Sequence, residues 1–145
     1  MTPPIELDEL TESILDIIVP QSMLTADDVA TIGKHQDWLL GLEDQLVAAF
    51  YDTLFAHAPT AAVFEDGERP AREATLRDWW QRTINGPLDD SYMRWMTLVG
   101  IIHIRSGVKN PMMVSIASVV TDLVITQAED TLDTDEVTAL RTAFA

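Results

Sequence analysis

Three histidines, His35, His57 and His103, are the residues best suited to ligate a metal in a chain that has no cysteine. The lack of thiols excludes disulfides, iron–sulfur clusters, thiolate zinc sites and cysteine nucleophiles. Any metal must then be held by imidazole, carboxylate or a cofactor. His35 and His57 sit near expected helix ends among polar residues and read as exposed or capping side chains. His103 differs. It follows Tyr92, Trp95, Met96, Val99 and Ile102 at three-to-four spacing, which puts the imidazole on an apolar, core-facing stripe. Burying the ring there costs free energy unless it finds a partner. A single histidine on such a stripe is ordinarily a hydrogen-bonded core residue; the alternative is a ligand. One axial imidazole is enough for a haem iron, whereas zinc usually takes three or four protein ligands.

The segments that must place these groups read as helices, because strict two-residue alternation is scarce. Apolar positions from Ile5 to Ile18 form a helical stripe that Pro20 closes. Thr25, three residues before Asp28, reads as an N-cap ahead of an acidic first turn, and the helix is expected from Ala26 to Trp38. Gly41 separates it from Leu42–His57, where Leu46, Phe50 and Leu54 share a face flanked by Val47, Tyr51 and Phe55. Pro59 opens a short turn or helix through Phe64. Pro70 suits the first turn of a helix to Asn85. Asp89-Asp90-Ser91 caps a helix from Ser91 to Ser106, and Gly107 stops it. Asn110 reads as the next N-cap, with Pro111 at the first helical position. Asp133 and Glu136 make a capping-box-like pair ahead of Val137–Phe144. The expectation is an all-α chain of about seven or eight helices, a single domain over 1–145, with residues 1–20 as a leading helix and 24–145 as the core.

The length of 145 residues suits one domain, able to bury roughly two-thirds of its unfolded surface. Twenty-four acidic against nine basic residues give a net charge of −15. That balance argues against nucleic acid and anionic membrane surfaces, which need clustered Lys and Arg. The start, Met1 to Glu6, has neither the basic region nor the apolar core of a signal peptide. The apolar patches at Ile101-Ile102 and 114–120 are interrupted, and none approaches the roughly 20 residues of a membrane helix. A cytoplasmic chain with no nucleic-acid or membrane partner is the expectation.

One stretch carries a further resemblance. Trp79-Trp80-Gln81-Arg82-Thr83-Ile84-Asn85-Gly86-Pro87-Leu88-Asp89-Asp90-Ser91-Tyr92 leads into Val99-Gly100-Ile101-Ile102-His103-Ile104-Arg105-Ser106-Gly107-Val108. This resembles the globin domain of the globin-coupled sensors and protoglobins, with its Gly–x–x–Asp turn, the aromatic soon after, and an Ile-Gly followed by His and then Gly four residues on. Here Val99-Gly100 stands for the Ile-Gly, one residue closer to the histidine. The resemblance runs from about Leu24 onward, and Ile5–Ile18 is similar to the family's extra N-terminal helix. Met112-Met113 occupy the place where the family often has Trp-Tyr.

The resemblance implies a globin fold with an extra N-terminal helix, holding haem b with His103 as the proximal ligand. It implies that Nε2 binds iron while the other ring nitrogen donates a hydrogen bond. Tyr51 matches the distal tyrosine, whose phenol can donate to a bound oxygen molecule, and Thr75 matches a polar distal position. Phe50, Leu54, Phe64, Trp79, Val99, Ile102, Met113 and Ile116 would wall the haem, and Arg72 and Arg105 are candidates for the propionates. The implied function is reversible binding of oxygen, carbon monoxide and nitric oxide for gas sensing, alone or as the sensor module of a larger protein. A homodimer through the last two helices is implied too, with Val119, Val120, Leu123 and Val124 as its apolar stripe. The alternatives are a haem redox enzyme of the nitric oxide dioxygenase or peroxidase type, and a haem-free interaction domain. No flavin or nicotinamide fingerprint and no distal His-Arg pair favour the enzyme.

Overall fold

The computed structural model describes residues 7–16 and 24–144, and every regular element among them is helical. In chain order these are α1 (Leu7–Leu15), α2 (Ala26–Lys34), α3 (Gln36–Gly41), α4 (Glu43–Ala56), α5 (Ala58–Ala61), α6 (Arg69–Asn85), α7 (Asp90–Arg105), α8 (Asn110–Thr131) and α9 (Thr134–Ala143). Of the expected leading helix, Ile5, Ile17, Ile18 and Pro20 lie outside the described residues.

Side-chain caps set several of the starts. Thr25 Oγ1 accepts from the Asp28 N–H at 3.1 Å while the Asp28 carboxylate accepts from the Thr25 N–H at 3.0 Å. This reciprocal pair satisfies donors that a helix start leaves orphaned. Asp89 caps α7 through the Tyr92 N–H, and Asp133 caps α9 through the Glu136 N–H. At α8 the expectation needs correcting: Asn110 is already helical and Lys109 is the extended residue before it. Pro111 still falls in the first turn, where a missing N–H costs no intrahelical bond.

The helix expected over Ala26–Trp38 is two helices. At His35 the backbone leaves helical values (φ −105°, ψ 19°) and its N–H is shared between the Thr31 and Ile32 carbonyls, a tightened last turn. The bend lets α2 lie on α9 and α3 on α6. His35 is buried, 8% exposed, and its side chain makes no cap bond, so it is not the exposed or capping side chain expected. His57, at the end of α4, is exposed.

Two apolar clusters fill the interior. The larger surrounds Trp80, which is fully buried with Nε1 donating to the Leu39 carbonyl at 2.9 Å. It gathers Leu46, Val124 and Leu140 from α4, α8 and α9. The smaller joins Val47, Tyr51, Leu54 and Leu76, with Phe50, Phe64, Trp79 and Ile116 packed around them. Neither cluster takes a residue from α7, which packs chiefly on α1. Its first turns are tied to α6 by the Tyr92 and Thr83 hydroxyls, 2.8 Å apart, and by the Arg82 guanidinium 4.3 Å from the Trp95 ring centroid.

The expectation that no segment reaches membrane-spanning length also needs correcting. α8 is long and apolar enough to cross a bilayer by length and composition, because the 114–120 patch runs on through Leu123, Val124 and Ile125 in one 22-residue helix. Its second half is core: Val120, Val124, Ile125 and Ala128 are buried, and α8 packs on α9 and α4. The stripe assigned to a dimer surface is thus partly internal, since Val120 and Val124 belong to the larger cluster. The exposed apolar residues of α8 are instead Met113 and Val114.

Candidate functional site

α7 supplies both His103 and the group that orients it. The Val99 carbonyl, one turn back, lies 2.7 Å from His103 Nδ1. A carbonyl only accepts, so Nδ1 carries the proton and donates. In the neutral ring Nε2 then holds the lone pair. A ligating imidazole is oriented in this way, with its second nitrogen hydrogen-bonded so that tautomer and ring angle are fixed. Four residues after His103, Gly107 ends the helix with φ 87°. The Val108 N–H bonds the His103 carbonyl and the Gly107 N–H bonds the Ile104 carbonyl, the paired closure of a left-handed helix stop. His103 is thus held from both sides by its own helix.

The stripe around His103 enters the core less fully than its spacing suggests. Tyr92 is buried, Trp95, Met96 and Val99 are half-buried, as is His103 itself, while Ile102 is 47% exposed. The reason is that α7 leans on α1 and not on the two clusters.

The second group of residues stands on α4 and α6. Phe50 and Phe64 meet the Tyr51 ring edge-on, with centroids 5.1 and 6.0 Å away. Phe55 lies beside both Tyr51 and Phe64. Sequence reasoning left Phe55 out of the site, although its place one turn after Tyr51 was the signal for it. The Tyr51 hydroxyl donates to the Arg72 carbonyl at 2.8 Å, tying α4 to α6. Burial pushes this phenol up to about 12, so it stays protonated and remains a donor at neutral pH. Tyr92 was also unassigned; it is buried, hydrogen-bonded to Thr83, and its pKa is raised by burial.

Phe50, Tyr51, Leu54, Phe64 and Trp79 come together in the smaller cluster, with Ile116 from α8. Val99, Ile102 and His103 stand apart on α7, and Met113 is exposed at the start of α8. Thr75 is exposed, its hydroxyl turned back onto the Ala71 carbonyl at 3.0 Å. Arg72 is exposed and pairs with Glu68 at 3.4 Å; Arg105 is exposed at the end of α7. Two open surface depressions flank His35, one of them shared with Asp133, Asp135 and Glu136, and neither is lined by α7.

Among the described residues no three His, Asp or Glu side chains converge as a ligand set. One oriented imidazole with a free Nε2, on a helix that shows apolar Ile102 to solvent, suits a group that brings its own equatorial ligands and an apolar surface. A family model described as Protoglobin matches residues 21–145. The chain belongs to the protoglobin family. None of the curated proteins compared with it matches. The all-helical architecture is accordingly a globin fold. α1 lies ahead of the matched stretch, and His103, Tyr51 and both apolar clusters lie within it.

Proposed function

We propose that this protoglobin binds one haem b through His103 and uses it to take up oxygen, carbon monoxide or nitric oxide reversibly, as a gas sensor or the sensing part of a larger protein. The observation that carries the reading is the 2.7 Å bond from His103 Nδ1 to the Val99 carbonyl, which leaves the Nε2 lone pair available to a ligand. When bound, the haem supplies an iron with an open position for a diatomic gas. The chain's own part is to orient the imidazole, to offer apolar walls, Phe50, Leu54, Phe64, Trp79 and Ile116 from the smaller cluster and Val99, Ile102 and Met113 from outside it, and to keep Tyr51 protonated as a donor.

The decisive experiment is the visible spectrum of the purified chain supplied with haem. A Soret band and stoichiometric haem are expected for the native chain. His103→Ala is expected to lose stable haem incorporation. A native-like spectrum in that variant moves the ligand elsewhere. A chain with no Soret band leaves the haem-free interaction domain as the reading, and turnover of nitric oxide or peroxide would favour the enzyme.

The same reading puts the chain in the cytoplasm, apart from nucleic acid and membranes, and pairs two copies through α8 and α9. The support for pairing is the exposed apolar start of α8, where Val114 is 70% and Met113 39% exposed.

A further inference from the structure

The geometry points to α1 as a positioning element for the helix that carries His103, an inference that rests on the haem reading above. The family match begins at residue 21, so α1 is an addition to the matched stretch. Yet α7 packs chiefly on α1, and no α7 residue joins either apolar cluster. The docked face of α7 is identifiable. Arg94 forms an ion pair with Glu12 of α1. Ile101, seven residues on, shares that face and is 6% exposed. His103 is nine residues from Arg94, about two and a half turns, so it points from the opposite face. α1 therefore lies against the face of α7 opposite the imidazole. On α1 itself Thr11 is buried and Leu10, Ile14 and Leu15 are half-buried.

Neither partner is self-sufficient. An isolated helix as short as α1 is marginal in water, so its order depends on docking. α7, in turn, is held by α1 along its back and by Tyr92 and Trp95 at its first turns. The two helices form one local unit that opens together. When α1 leaves, the far half of α7, with Val99 and His103, loses its backing, and the imidazole angle is no longer fixed.

Hydrogen exchange in the full-length chain, before and after haem is supplied, tests this. Thr11→Pro breaks α1 at its buried position. It is expected to speed exchange of the α7 amides about tenfold or more while those of α4 and α6 hold. In the loaded chain it should shift the iron–histidine stretching band and hasten haem loss. Unchanged α7 exchange, or an equal rise in α4 and α6, overturns the proposal. A second pair of variants avoids any question of folding. Arg94→Glu and Glu12→Arg should each loosen α7 a few-fold, and the two together should restore it; failure of the double variant to restore overturns the docking face. A native chain without a Soret band overturns the haem reading and the positioning role with it. An α7 that ignores α1 in a chain that takes up haem overturns the positioning role alone.

Discussion

The Tyr51 hydroxyl has one proton, and it goes to the Arg72 carbonyl. Donating to a bound gas therefore means exchanging that bond for another. A charge-assisted bond is worth about 1.5–3 kcal/mol and a neutral one about 1 kcal/mol. The difference favours oxygen, which becomes polarised when bound, and does little for carbon monoxide. Tyr51→Phe is expected to speed oxygen dissociation on the order of threefold to tenfold, with carbon monoxide dissociation nearly unchanged. Stopped-flow replacement of each gas measures this, and equal effects on both would remove Tyr51 from ligand contact. The phenol also has a pH signature. Its folded pKa of about 12 lies above the ordinary 10.0. Its contribution to stability is complete below pH 10 and is lost as pH rises towards 12, because only the unfolded chain ionises easily there. Urea midpoints measured across that window should fall less steeply for Tyr51→Phe than for the native chain. Tyr92, shifted in the same direction, supplies a further part of the slope.

Two glycines in and after α7 should respond in opposite directions to alanine. Gly107 sits at φ 87°, where a side chain is strained whatever the space. Gly107→Ala is expected to destabilise the chain by about 1 kcal/mol and to raise amide exchange around 103–108, where the stop bonds His103 and Ile104. Gly100 is helical, and a Cβ there meets nothing within 4 Å. Gly100→Ala should stabilise the haem-free chain by about 0.5–1 kcal/mol through helix propensity alone. Urea titration of both variants checks the pair, and a loss for Gly100→Ala would mean that α7 is held closer to its neighbours. The helix stops and caps were legible in sequence at Thr25, Asp89, Gly107 and Asp133, because a cap is a short-range matter of one side chain and the next three residues. The break at His35 was not. Nothing local forces it, and it exists because α2 and α3 dock on different helices.

The net charge of −15 acts on the molecule as a whole. Its ion pairs, such as Arg77 with Glu43 and Asp44, lie at the surface and contribute little each. Self-repulsion works against any pairing of copies until salt screens it, over a Debye length of about 10 Å at 0.1 M. Sedimentation equilibrium is expected to show a shift from monomer to dimer as salt is raised, and Val114→Glu is expected to block it. A strict monomer at high concentration and high salt would reject the pairing. The variant targets Val114 because Val120 and Val124, the more apolar-looking choice, are already spent inside the chain's own core.

By itself the sequence determined the helical class, most of the boundaries and the family resemblance, since all of these follow from periodicity, capping chemistry and a short spaced motif. The tertiary structure decided the burial of His35, the commitment of the Tyr51 proton, the outward face of Thr75 and the inward face of Val120 and Val124. It also decided that α7 rests on α1. The physical reason is the same in each case. A helical stripe shows that one face will be covered but not by what, and the direction of a single hydroxyl proton or the bend between two helices depends on neighbours that are distant in sequence.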